Sequence, residues 1–193
     1  LSDPYFKLVE ITNSAFVSKL QVVENCPIIW LVGLSGAGKS TLAKAYVDYL
    51  TSEGLACVHL DGDELRKGLN SNLGFTENER HENLRRAAEV AVLFKNSGVI
   101  PVCSFISPTY EVRKTIAAIC GESYREIYVK CSLAGCEQRD VKGHYLKARK
   151  GELAYFTGIS SPFDEPINPF ATIDSENDSF DKCLQQLIQK FEF

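Results

Sequence analysis

A chain of 193 residues with 45% hydrophobic content can bury one sizeable core, which excludes two large domains. The formal net charge of −4 excludes a general nucleic-acid binder, which is usually basic, but leaves room for a local cationic pocket. The 7 cysteines are odd in number and show no C-x-x-C spacing, so they suit reduced core thiols in a cytoplasmic protein better than disulfides or zinc.

Residues 1–26 carry no recognisable motif and read as an N-terminal arm; Ile11 to Val23 is expected to form a short helix, with Pro27 as a break. The first 65 residues contain no Arg and include Asp3, Glu10 and Glu24, unlike a transit peptide. The chain has no Met, which leaves open a trimmed protein or a piece of a longer one. Ile28 to Val32 reads as a buried strand. Gly33-Leu34-Ser35-Gly36-Ala37-Gly38-Lys39-Ser40 follows, and a helix from Thr41 runs to about Glu53, with Gly54 as its stop. Ala56 to Leu60 is a second strand, ending in Asp61-Gly62-Asp63. Glu64 to Asn70 suggests a short helix, Ser71 to Thr76 a loop, and Asn78 to Ser97 a long helix ended by Gly98. Val99 to Ile106 is a third strand, broken by Ser107-Pro108. A helix over Tyr110 to Ile119 and a strand over Glu126 to Lys130 come next. Ser132 caps a helix reaching Arg139. Residues 140–151 are basic, and 155–170 are irregular. Ala171 to Ile173 is a last strand and Phe180 to Phe191 a last helix. Strands alternate with helices and most lack polar alternation, which indicates a parallel sheet covered on both faces. No run reaches transmembrane length, so no membrane partner is expected.

The run 33–40 fits G-x-x-x-x-G-K-[ST] in its required strand–loop–helix context. Such a loop cradles phosphate oxygens with backbone N–H groups, aided by the helix N-terminus. Lys39 reaches the β- and γ-phosphates of a nucleoside triphosphate, and the Ser40 hydroxyl ligates Mg2+. Asp61 and Asp63 stand at a strand's carboxyl end, where open α/β sheets bind ligands. One carboxylate there helps hold Mg2+ and the other orients or deprotonates a hydroxyl, unless the pair is simply a turn. Arg66, Arg80, Arg85 and Arg86 suit phosphate or sulfate oxygens, or else a solvated helix face; Asn83 shares a face with Arg80. Phe75 and Phe156 are aromatics in polar surroundings, suited to a stacked base or to a satellite core. Lys142, His144, Lys147, Arg149 and Lys150 read as a mobile lid or as an exposed amphipathic helix.

The chain closely resembles adenylylsulfate kinases, also called adenosine 5′-phosphosulfate kinases. The resemblance rests on GLSGAGKST at 33–41, LDGDELRKGLN at 60–70 and LGFTENERHENLRR at 73–86. SFISP at 104–108, RDVKGHYLKARKGE at 139–152 and FTGISSPFDEP at 156–166 complete it, over about residues 27–190. It implies a P-loop kinase domain at 27–193 after the arm, with a five-stranded parallel sheet and helices on both faces. It also implies Mg-ATP as donor and the 3′-hydroxyl of adenosine 5′-phosphosulfate as acceptor.

By resemblance, the donor site comprises Gly33, Leu34, Ser35, Gly36, Ala37, Gly38, Lys39, Ser40 and Thr41, with Arg139 packing on the ATP adenine. Ser40 and Asp61 serve the metal. Asp63, Arg66, Arg80 and Asn83 hold the sulfonucleotide, and Phe75 and Phe156 sandwich its adenine. Ile106, Ser107 and Thr157 line the same pocket and Lys142 comes from the lid. Lys39, Asp63 and Ser107 are the catalytic candidates. Ser107 matches a serine described in this family as a phosphoserine intermediate; a plain hydrogen bond to substrate is the alternative, because direct transfer needs no covalent step. Glu64, Lys67, His81, Thr109 with Tyr110, and Tyr155 depart from the family pattern. They keep open a relative that phosphorylates another nucleoside diphosphate analogue, as well as a catalytically silent nucleotide-binding regulatory domain. No N-K-x-D motif supports a GTP switch. Oligomeric state is left open, a homodimer included.

Overall fold

The computed structural model describes residues 20–191. Five strands, β1 (Ile28–Val32), β2 (Cys57–Asp61), β3 (Ile100–Ser104), β4 (Tyr124–Lys130) and β5 (Ala171–Asp174), form one sheet in the order β2-β3-β1-β4-β5. Every pairing is parallel. The helices are α1 (Lys39–Ser52), α2 (Gly62–Lys67), α3 (Glu77–Asn96), α4 (Tyr110–Cys120), α5 (Leu133–Arg139), α6 (His144–Arg149) and α7 (Phe180–Ile188).

β1 explains the layering. Its five residues are all buried, and successive side chains of a strand point to opposite faces. Ile29 and Leu31 pack in one core with Leu42, Tyr46 and Leu50 of α1 and Leu187 of α7. Ile28, Trp30 and Val32 pack in the other with Ala87, Ala88 and Ala91 of α3 and Ile116 of α4. Continuous apolar strands are what a sheet covered on both faces requires.

Several boundaries differ from the sequence expectation, among them the end of α7 at Ile188 rather than Phe191, the start of α2, the end of β3 and the start of β4. α2 begins at Gly62, two residues early, because the Asp61 carboxylate caps it by accepting the Asp63 N–H. β3 ends at Ser104, and the chain then turns through Ser107, whose φ of 45° lies in the left-handed region. β4 begins at Tyr124, which pairs with Ile28 in register. Of the helix expected over Ile11 to Val23, residues 11–19 lie outside the described residues, and 20–23 are not helical. Gln21 bridges Leu55 in parallel, and Cys26 is buried in the core.

Candidate active site

The loop between β1 and α1 is closed by backbone geometry that favours glycine. Gly36 (φ 78°) and Gly38 (φ 93°) take left-handed conformations. At Gly33 a Cβ would lie 2.5 Å from the Val129 carbonyl oxygen, so a side chain there would break the contact with β4. Three successive carbonyls are anchored by side chains from distant segments. The Ser35 oxygen accepts from Tyr145 Oη at 2.8 Å, that of Gly36 from Arg139 Nη1 at 3.4 Å, and that of Ala37 from Ser175 Oγ at 2.7 Å. In a trans peptide the next N–H points the opposite way. The N–H groups of Gly36 and Gly38 are therefore aimed away from these anchors, as a phosphate cradle needs. Lys39 is buried and its Nζ donates to the Leu34 carbonyl at 2.7 Å. Burial lowers its pKa to about 8.

Asp61 gathers hydroxyls at the carboxyl end of β2. Its Oδ2 accepts from Ser40 Oγ at 2.6 Å and from Ser104 Oγ at 2.8 Å. Partial burial opposes ionisation, but these bonds and the Asp63 N–H outweigh it and hold the carboxyl below its ordinary range. His59 Nε2 lies 2.8 Å from Ser104 Oγ. Because that hydroxyl spends its proton on Asp61, the imidazole donates. Ser40, Asp61 and Ser104 present the hard oxygen donors that Mg2+ prefers.

All ten acceptor residues expected from the resemblance line one cleft of about 510 Å³ with Lys39, Ser40, Thr41 and Asp61. Ser35, Gly36 and Gly38 also line it, whereas Gly33, Leu34, Ala37 and Arg139 do not. Leu34 and Ala37 are core residues, and Arg139 grips the Gly36 and Ser175 carbonyls behind the loop. A second hollow of about 560 Å³ lies beyond Leu34, bounded by Leu133, Phe163 and Glu165, and contains none of these charged groups.

Two arginines shape the cleft. Arg66 Nη1 donates to the Leu73 and Gly74 carbonyls, each at 2.9 Å, and its guanidinium lies 4.4 Å from the Phe75 ring centroid. Arg80 joins two loops: Nε donates to the Phe75 carbonyl at 2.9 Å and Nη1 to Thr157 Oγ1 at 2.5 Å. Burial, and then the charge of Arg66, push the pKa of Arg80 down. Two half-buried guanidiniums that repel each other form a field suited to an anion. Phe75 is 59% exposed, which leaves ring surface for a flat ligand. Buried Asn83 is held by Asn70 Nδ2 at 3.0 Å from its Oδ1. Lys142 of the 140–151 segment pairs with Asp63 across the cleft.

Ser107 is only 1% exposed. Its Oγ accepts from Trp30 Nε1 at 2.9 Å and its carbonyl from Arg113 Nη1 at 3.0 Å. Sequence reasoning passed over Ser104, Trp30 and Tyr145. Ser104 had a signal in strand register, since β2 and β3 place it beside Asp61. Of the unassigned arginines, Arg85 and Arg86 pair with Glu82 on the α3 surface and stay outside the cleft.

A phosphate-binding loop, an ionised carboxylate held by the Ser of that loop, and a cationic pocket in the same cleft define a P-loop phosphotransferase. The family model described as adenylylsulphate kinase matches residues 25–174. An adenylyl-sulfate kinase of Bacteroides thetaiotaomicron is 48% identical over 163 residues, covering 84% of this chain and 81% of the relative. A probable adenylyl-sulfate kinase of Bacillus subtilis is 48% identical over 164 residues, covering 84% of this chain and 83% of the relative. The structure of the Mycobacterium tuberculosis APS kinase CysC in complex with AMPPNP and APS superposes with a TM-score of 0.81 at 40% identity. It covers 86% of this chain and 96% of that one. The chain belongs to the adenylylsulphate kinase family.

Proposed function

We propose that the chain transfers the γ-phosphate of ATP to the 3′-hydroxyl of adenosine 5′-phosphosulfate, giving ADP and 3′-phosphoadenosine 5′-phosphosulfate. One observation carries the reading: the loop that cradles phosphates and the pocket of Arg66, Phe75, Arg80 and Phe156 open into a single cleft. The donor thus lies on the glycine loop and the acceptor on the arginines. Phe75 and Phe156 offer ring faces to the acceptor base, and Arg66 and Arg80 offer guanidinium donors to the phosphosulfate. Asp63 sits between the two ends, where its carboxylate takes up the proton of the 3′-hydroxyl as that oxygen bonds to the γ-phosphorus. The bond from the γ-phosphorus to the β–γ bridging oxygen breaks, and Lys39 neutralises charge on the phosphoryl oxygens. Lys142 must exchange its Asp63 partner for substrate or solvent before that carboxylate can act.

Mg2+ fits the oxygen set of Ser40 and Asp61 and, when bound, would neutralise phosphate charge. Asp61, already ionised and fixed by three hydrogen bonds, would hold it with the Ser40 oxygen. All seven cysteines are free thiols, which supports work in a reducing, cytoplasmic setting.

The departures from the family pattern do not favour another acceptor. Glu64 and Lys67 pair with each other at 2.6 Å on exposed α2, and His81 Nε2 lies 3.0 Å from Thr115 Oγ1. Thr109 caps α4, and none of these residues, nor Tyr110 or Tyr155, lines the cleft. The test is turnover with Mg-ATP and adenosine 5′-phosphosulfate, read by mass spectrometry. A gain of one phosphate on the sulfonucleotide, lost in Lys39→Ala, supports the reading. ATP binding without that product refutes it.

A further inference from the structure

Tyr145 belongs to neither substrate set read from the sequence, yet it touches elements of both. It stands on α6 and is 3% exposed. Its hydroxyl donates to the Ser35 carbonyl of the phosphate-binding loop at 2.8 Å. Its ring meets Phe156 edge-on, with centroids 4.9 Å apart and planes at 80°. Its own N–H is fixed by Asp140 Oδ1 at 3.0 Å, and Leu146 N–H by the other oxygen at 3.0 Å. The far end of α6 is tied to α5 through Arg149 Nε and Glu137 Oε1 at 2.8 Å. The tyrosine is thus a rigid strut between a donor-binding loop and an acceptor-binding ring, seated on a helix anchored at both ends.

We infer that Tyr145 is a positioning residue that couples the two substrate subsites, so that ATP and sulfonucleotide each tighten the binding of the other. The inference rests on the functional reading above. Fixing the Ser35 carbonyl fixes the plane of the next peptide, and with it the direction of the Gly36 N–H. Tyr145 lines the cleft, and its hydroxyl acts on ATP through the Ser35 carbonyl of the loop. The ring acts on the acceptor through Phe156, whose tilt sets one wall of the base slot. Whatever phosphate binding does to the loop is passed through the hydroxyl to the ring and to Phe156. Linkage requires the same coupling in reverse. A sequence reading assigns this tyrosine only to a basic segment, since neither contact is local.

Tyr145→Phe separates the two ends, because it keeps the ring and removes the hydroxyl. Calorimetric titration of the full chain with AMPPNP, with adenosine 5′-phosphosulfate, and with each in the presence of the other reads the effect. AMPPNP should bind about three- to tenfold more weakly, as for one lost hydrogen bond. The sulfonucleotide alone should change by less than about twofold, while the tightening that AMPPNP gives it falls toward none. Tyr145→Leu removes both contacts and should weaken each ligand alone. If that variant does not fold, Phe156→Leu takes its place and should weaken the sulfonucleotide while sparing AMPPNP. Unchanged AMPPNP affinity in Tyr145→Phe overturns the proposal. So does an equal loss for both ligands, or a wild-type chain in which neither ligand tightens the other. A wild-type chain that binds AMPPNP but no sulfonucleotide overturns the functional reading instead, and the AMPPNP titration of Tyr145→Phe then still judges the hydroxyl.

Discussion

Ser107→Ala decides between a covalent phosphoserine route and direct transfer, and the structure supplies both magnitudes. The Ser107 hydroxyl is the acceptor for Trp30 Nε1, and Trp30 is fully buried against Phe105, ring centroids 4.8 Å apart. Alanine leaves that indole N–H unsatisfied, which costs about 1–3 kcal/mol. For a domain of this size that corresponds to a Tm lower by roughly 2–12 °C. The left-handed backbone at φ 45° adds nothing to the difference, because Ser and Ala are both strained there. On the chemistry, a hydroxyl that accepts an indole proton is less nucleophilic. Among the described residues no carboxylate or imidazole is hydrogen-bonded to it to act as its base. Turnover should therefore fall by no more than about tenfold, the worth of one hydrogen bond to substrate. The assay is steady-state turnover well below the Tm of the variant, paired with a melting curve. A folded variant slowed by roughly a thousandfold or more would refute the argument and restore the covalent route.

Three other outcomes test the charges and the stacking. Burial holds Lys39 near a pKa of about 8, and a bound phosphate favours its charged form. Nucleotide binding at about pH 8.5 should then take up protons, and affinity should fall as pH rises further. Calorimetry in buffers of different ionisation enthalpy reads the uptake, and its absence would show that Lys39 is already charged. Phe75→Ala should weaken the sulfonucleotide by roughly 1–3 kcal/mol. It should leave the melting temperature nearly unchanged, because the ring is 59% exposed. An unaltered dissociation constant would make Phe75 a mere cover for Arg66. Arg80→Lys cannot serve the Phe75 carbonyl, Thr157 and an anion at once, since an ammonium has three donors at one point and a guanidinium five in a fork. It should raise the acceptor KM about tenfold or more with ATP KM unaltered, and equal changes in both would point to misfolding of the cleft.

Much of this was legible because it is local. The phosphate loop needs glycines at fixed offsets and a helix after it, and those are adjacent letters. The buried strands read as apolar runs because helices cover both faces of the sheet, and β1 was found to the residue. The caps Ser132 and Asp61 show why α5 began where expected and α2 did not. Both side chains accept from helical N–H groups, but at a strand end Asp61 reads as a ligand or a turn residue rather than as a cap. The acceptor residues came from the resemblance, since composition offered each arginine an equal life on a solvated face.

Trp30, Tyr145 and Ser175, whose contacts that reading missed, share one property. Their partners are far along the chain, and nothing in their neighbours announces them. Trp30 reads as core from any window, yet its indole holds a hydroxyl 77 positions away. Tyr145 bonds to a carbonyl 110 positions away, and Ser175 to one 138 away. Each contact links a side chain to a loop atom that bends toward or away from a ligand. The direction of such an atom is fixed by the sheet and helices that bring the segments together. Motifs therefore reveal the groups proposed to perform the transfer, while the groups that aim them appear only once the parallel order β2-β3-β1-β4-β5 has set the strand ends side by side.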